Sequence, residues 1–301
     1  MSASVMLHPE IVNWEPTVVE KNLPLAPEPD PQTGYLLVGH GTRRAKGQQQ
    51  FRQVFEQFAR EMAPSASEMA FLELADPDIT TAIQRLATRG IKKLVTVPVL
   101  LFEAGHALQD IPEQVQLACT AHDVCFLHQT GAFLSSGPIL SLSALRFREA
   151  VCNQSASEWL RREEPRFCCS GCENNCSEAF CSRVALLMIG RGSNSSDATK
   201  AMLRFTDRRC KLTKVNWAKT AFIHGQSPNV DEGIKELAGR PEPIKVVQPH
   251  LIFEGLLSAD LQARVERLQK HSPEQLWVMP GVLADDHKLA QTLADIAKNA
   301  K

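Results

Sequence analysis

Tyr35-Leu36-Leu37-Val38-Gly39-His40-Gly41-Thr42-Arg43-Arg44 is the stretch on which the fold turns. A short apolar run stops abruptly at a glycine-flanked histidine and a basic turn. Two more runs end in the same manner. Met69-Ala70-Phe71-Leu72 runs into Glu73-Leu74-Ala75-Asp76-Pro77, and Leu94-Val95-Thr96-Val97-Pro98-Val99-Leu100-Leu101 runs into Phe102-Glu103-Ala104-Gly105-His106. Helical patterns separate them. One starts near Lys46 and carries Phe51, Val54, Phe55 and Phe58; the next carries Ile79, Ile83, Leu86 and Ala87 and stops at Gly90. Asp110 is expected to cap a third helix with Pro112 in its first turn. Val124–Leu127 is expected as a fourth strand and Ile139–Val151 as a last helix.

Strands alternating with helices read as βαβ units on a parallel sheet. Parallel strands share a direction, so His40, Glu73 and His106 are expected to emerge at one edge. Open α/β sheets bind ligands at that carboxyl edge. Two imidazoles and a carboxylate converging there suit an open divalent-metal site. Each residue also has a plainer reading. His40 can pack against the Gly41 turn, Glu73 can cap a helix or form an ion pair, and His106 can be a surface loop residue. For His122, His128, His271 and His287, outside the three motifs, the structural reading is preferred.

The pattern then repeats. An offset of 151 places Gly39, Gly41, Phe71, Pro77, Ile83, Leu86, Pro98, Phe102 and Glu103 on the identical types Gly190, Gly192, Phe222, Pro228, Ile234, Leu237, Pro249, Phe253 and Glu254. After a one-residue deletion, Asp110 falls on Asp260 and Gly131 on Gly281. This is a duplicated domain, not a solenoid. The expected fold is α/β: two tandem, doubly wound parallel-sheet domains of flavodoxin-like or Rossmann-like layout. The second copy has lost the constellation, since His40 becomes Arg191, Glu73 becomes His224 and His106 becomes Leu256. Arginine stays protonated and leucine has no donor atom. His224 and His250 at strand ends leave a second metal site as the lesser alternative.

Composition sets the outer limits. The chain has 301 residues, 44% hydrophobic and 22% charged, with a net charge of −1 at pH 7. That length accommodates two domains. The charge implies no nucleic-acid surface, and no apolar run reaches the ~20 residues that span a bilayer. The N-terminus lacks a basic region followed by an apolar core, so a cytoplasmic protein is expected. Residues 1–34 hold six prolines and read as a disordered tail. The catalytic domain is expected over 35–151, a cysteine-rich linker over 152–183 and the degenerate copy over 184–301.

Residues 36–42 (LLVGHGT), 70–77 (AFLELADP) and 97–112 (VPVLLFEAGHALQDIP) together resemble the class II sirohydrochlorin chelatases. More specifically, the chain is similar to the long form with two tandem chelatase-like domains, in which an active first half is followed by a degenerate GRGS second half. Here that motif is Gly190-Arg191-Gly192-Ser193. The resemblance implies insertion of a divalent metal, Co²⁺ ahead of Fe²⁺, into sirohydrochlorin for cobalamin or sirohaem synthesis. His40 and His106 would then present the metal. The strand end is expected to withdraw Glu73 from water, which suits an acceptor of pyrrole protons or a group that helps position the metal. The substrate carries many carboxylates, so Arg43, Arg44 and Lys46 after the first strand, and Arg191, are its expected contacts. Thr42, at the start of that helix, is expected both to cap it and to join these residues in binding the substrate.

The segment between the copies holds five cysteines in fourteen residues, Cys168 to Cys181. Cys169, Cys172, Cys176 and Cys181 are spaced to supply thiolates to an iron–sulfur cluster, with structural zinc next. Two other functional classes stay open at this point. One is a metallochaperone or tetrapyrrole carrier without catalysis; the other is an iron–sulfur redox protein using the fold as a scaffold. A phosphohistidine phosphatase would need Arg-His-Gly where this chain has Gly39-His40-Gly41, and is set aside.

Overall fold

The computed structural model describes residues 30–101, 109–131, 137–163, 178–193, 195–285 and 287–300. His106, Cys169, Cys172 and Cys176 lie outside them. The first half runs β1 (Thr33–Gly39), α1 (Ala45–Met62), β2 (Ser67–Phe71), α2 (Ile79–Thr88), β3 (Lys93–Pro98), α3 (Asp110–Ala121), β4 (Cys125–Gln129) and α4 (Gly137–Val151). After α5 (Gln154–Glu163) and α6 (Glu178–Cys181), the second half runs β5 (Val184–Gly190), α7 (Ser196–Thr213), β6 (Trp217–Phe222), α8 (Val230–Ala238), β7 (Ile244–Pro249), α9 (Leu256–His271), β8 (Leu276–Val278) and α10 (Lys288–Asn299).

Each half builds a four-stranded parallel sheet, in the orders β2-β1-β3-β4 and β6-β5-β7-β8. The registers match as well: Gly39 lies beside Phe71, and Gly190 beside Phe222. The central strand β5 is buried along its whole length, which is why its sequence, VALLMIG, is a run without alternation. Helices α2 and α3 cover the outer face of the first sheet, packing Ile83, Leu86, Ile111 and Val115 on Leu36 and Val38. Helices α8 and α9 cover the second sheet in the same way.

Between the sheets lies one shared core. Here the halves exchange their last helices. Helix α4 leaves the first sheet and packs on α7, while α10 returns from the second half to α1 and β3. The expected domain end at 151 therefore does not coincide with a packing boundary. Arg209 of α7 marks the exchange. It is fully buried and donates to Ser143 Oγ of α4 (3.2 Å), Thr213 Oγ1 (2.7 Å) and Gln248 Oε1 of β7 (3.1 Å). Burial pushes its guanidinium down to about 10, so it still holds its charge near neutral pH. Removing a neutral partner from so desolvated a cation is costly.

Several expected boundaries move. β1 starts at Thr33, and Asp30 before it pairs with Lys93 of β3 at 2.9 Å. Threonine and glycine gave no strand signal; Gly34 is required because a Cβ would sit 2.8 Å from Ile91. β2 and β3 end at Phe71 and Pro98; Val99 and Leu101 stay buried beyond the strand, which prolonged the apolar run. β4 spans Cys125–Gln129, shifted from the expected Val124–Leu127. The expected linker contains two helices, and Trp159 of α5 donates to the Pro273 carbonyl at 3.1 Å. Asp110 is the first residue of α3 rather than its cap, which is Gln109.

Candidate metal-handling site at the sheet edge

The site is built on the join between β1 and β2. Their ladder continues past both strands: Leu72 N–H donates to Gly39 O (2.8 Å) and Glu73 N–H to His40 O (3.1 Å). That pairing sets His40 and Glu73 side by side. Gly41 makes it possible. Its φ is +98°, and a Cβ there would lie 1.7 Å from the Glu73 carbonyl oxygen. A left-handed residue costs roughly 1–2 kcal/mol, but the overlap is the larger prohibition. Beneath the join, the Phe51 ring lies against Gly39 and packs tilted on Phe71, with ring centroids 4.9 Å apart.

His40 Nδ1 faces Glu73 Oε1 at 3.5 Å, with the side chains 29% and 49% exposed. Glu73 is therefore not withdrawn from water as expected, because β2 ends two residues earlier and the carboxylate stands clear of the core. A pair this exposed contributes at most about 1 kcal/mol to stability. A carboxylate facing Nδ1 favours the neutral tautomer with its proton there. Nε2 is then the donor atom a metal can use.

The sequence model of the CbiX family matches residues 34–142 and again 185–300. The chain belongs to the CbiX family. Among its relatives is a sirohydrochlorin ferrochelatase of Bacillus subtilis (strain 168), 24% identical over 238 residues, or 79% of this chain and 81% of that protein. A sirohydrochlorin cobaltochelatase of Priestia megaterium is 24% identical over 265 residues, or 87% of this chain and 78% of that one. The fold matches SirB from Bacillus subtilis with Fe³⁺, at a TM-score of 0.70 and 21% identity over 89% of this chain and 96% of that one.

Within this CbiX-family chain the second copy repeats the backbone and changes the chemistry. Ile223 N–H donates to Gly190 O (3.0 Å) and His224 N–H to Arg191 O (3.1 Å). A Cβ on Gly192, at φ +85°, would lie 1.9 Å from the His224 carbonyl oxygen. Arg191 and His224 thus occupy the places of His40 and Glu73, and both are exposed. His250 is no metal ligand open to the cleft. It is 1% exposed, lies 4.1 Å from the Phe205 ring centroid and has neither ring nitrogen hydrogen-bonded. Burial pushes its imidazole down to about 3.

The basic turn after His40 is exposed at Arg43 and Arg44. Thr42 does not cap α1. Its Oγ1 accepts from Arg44 N–H (3.2 Å) and its carbonyl from Gln48 Nε2 (2.7 Å), which shapes the turn. The cap position falls to Arg44, without a side-chain cap bond, and the first turn has no acidic residue. Uncapped N–H groups beside two arginines are receptive to anions. Lys46 is held differently: it pairs with Glu254 of the second half. Among the described residues no group of three metal-donor side chains assembles. Cys181 is 4% exposed and packed in the shared core.

Sequence reasoning missed Phe51, Gln50 and Glu254 as parts of this edge. Two signals were available: a glycine, Gly47, inside a helical pattern, and Glu254 among the matched positions of the repeat.

Proposed function

We propose that this protein is a metal chelatase that inserts Fe²⁺ or Co²⁺ into sirohydrochlorin. The reading is carried by the His40–Glu73 pair, 3.5 Å apart at the carboxyl edge of the first sheet, in a CbiX-family chain with ferrochelatase and cobaltochelatase relatives over most of its length. Insertion exchanges pyrrolic N–H protons for a metal dication. His40 presents the metal through Nε2, and His106, assigned from its motif, is the second imidazole. So few protein ligands leave positions open for the macrocycle nitrogens. Glu73, exposed beside the metal, accepts a displaced proton and returns it to solvent. Arg43 and Arg44 at the open start of α1, and Arg191 at the matching place on the second sheet, hold the substrate's carboxylates.

Imidazole and carboxylate donors accept both metals, so the expected preference for cobalt is a matter for direct competition. The test is anaerobic incubation of the protein with sirohydrochlorin and either metal, following the macrocycle's absorption. Insertion no faster than in a protein-free control would overturn the reading. Tight macrocycle binding without acceleration would mark a carrier instead. The cluster reading of Cys169, Cys172, Cys176 and Cys181 rests on their spacing. Iron with acid-labile sulfide in anaerobically purified protein is its expected signature; zinc without iron would indicate a structural site.

A further inference from the structure

The carboxyl edges of the two sheets meet at one corner, where the loop between β7 and α9 lies on the first turns of α1. Lys46, Gly47, Gln50 and Phe51 of α1 all grip residues 253–254. Gln50 Oε1, on a residue only 9% exposed, accepts from the Glu254 backbone N–H at 2.7 Å. The Glu254 carboxylate pairs with Lys46. Gly47 leaves room for the loop, since a Cβ there would lie 3.1 Å from the Glu254 carbonyl oxygen and 2.9 Å from Thr42 Cγ2. Phe253 meets Phe51 edge-on at 5.7 Å, and Phe51 is the ring that supports Gly39 and Phe71 below His40 and Glu73.

We propose that Glu254 is a positioning residue for metal insertion: it clamps the second half's β7–α9 loop onto the helix that follows His40, and so fixes the corner of the cleft. This rests on the chelatase reading. The clamp gives the degenerate half a task that needs no metal ligand. It also takes Lys46 out of the set that meets the substrate. The device belongs to one half. At the repeat positions of Lys46 and Gln50, α7 carries Asp197 and Ala201, which supply neither the cation nor the amide.

Both charged partners reach solvent, with side chains 69% and 34% exposed. Loss of such a pair leaves folding nearly untouched, so an effect on the reaction can be read separately. The experiment compares Glu254→Gln, Gln50→Leu and the charge swap Lys46→Glu with Glu254→Lys. Hydrogen exchange of the 250–256 peptide is followed beside the KM for sirohydrochlorin and kcat. Glu254→Gln should speed exchange in that peptide and raise KM about fivefold, the most an exposed pair carries, with kcat little changed. Gln50→Leu should move both readouts further, and the swap should return both toward wild type. Three results would overturn the proposal: an unchanged KM in Glu254→Gln, a swap that restores neither readout, or a lowered KM. The last would mean that Glu254 only screens Lys46 from an anionic substrate. A wild-type protein that fails to accelerate insertion would overturn the chelatase reading instead, and that control is read before any variant.

Discussion

At the carboxyl end of the first strand, the two halves share one backbone and differ in what hangs from it. In both, the residue after the first strand accepts the N–H of a residue just past the end of the neighbouring strand, at 3.1 Å in each copy. In both, a left-handed glycine passes under a carbonyl with no room for a Cβ. The first half places His40 and Glu73 on this frame, and the second places Arg191 and His224. The helices that follow diverge too. α1 begins with Arg44 and lacks a side-chain cap and first-turn acid, whereas α7 has Ser195 accepting from Ala198 N–H at 3.3 Å and Asp197 in its first turn. A closed helix start repels the anion that an open one attracts. The comparison teaches that the duplicated turn is a scaffold for placing two side chains. On the proposed reading, the chemistry is then chosen by those side chains and by the helix start behind them.

Exchanging the side chains tests this most severely. His40→Ala should lower metal insertion by about a hundredfold or more, the scale of losing a ligand or a catalytic proton acceptor. Glu73→Gln should approach it. Arg191→Gln and His224→Ala should leave kcat largely intact and raise only the KM for the macrocycle. Steady-state insertion assays decide it, and equal losses from both halves would end the division into active and degenerate copies.

The shared backbone can be tested apart from the chemistry. Gly41→Ala and Gly192→Ala should each lower stability by about 1–3 kcal/mol, since each forces apart a strained turn. Insertion should collapse in the first and fall much less in the second. Denaturant melts paired with activity assays would show whether the two turns are equivalent as scaffold.

A third difference lies at the end of the third strand, where the first half has Val99 and the second has His250. In the folded protein burial pushes that imidazole from 6.5 down to about 3. Between those values the unfolded chain binds a proton that the folded chain refuses, so stability falls as pH drops below 6.5 and is unaffected above it. His250→Val should remove this contribution, worth about 1.4 kcal/mol per pH unit in that window. Urea titrations of both proteins at pH 7, 6, 5 and 4 measure it, and parallel stability curves would refute it.

The smallest expected effect comes from the segment belonging to neither half. Replacing Cys172 and Cys176 together should remove any iron–sulfur absorption and leave insertion largely unchanged. Loss of insertion along with the chromophore would tie the segment to the chemistry.

Much of this was legible in residues 35–44 and their echoes. Apolar runs broken by Gly39-His40-Gly41 and by Glu73 gave parallel strands and a common edge, and the match at 151 residues gave the second sheet. These signals are local: a strand's burial and a turn's glycine are written in neighbouring residues. Glu73's exposure was not legible, because it depends on β2 ending at Phe71, inside the apolar run. The burial of His250 under Phe205 and the grip of α1 on Glu254 were not legible either, since each joins segments far apart in the chain. The exchange of α4 and α10 lay furthest out of reach. Either helix presents an apolar stripe that would serve on its own sheet or on the other. Only the packed structure, with Arg209 of α7 bonded to Ser143 of α4, decides between them. An amphipathic pattern states that a face is buried, and the partner that buries it is chosen by the shape of the whole core.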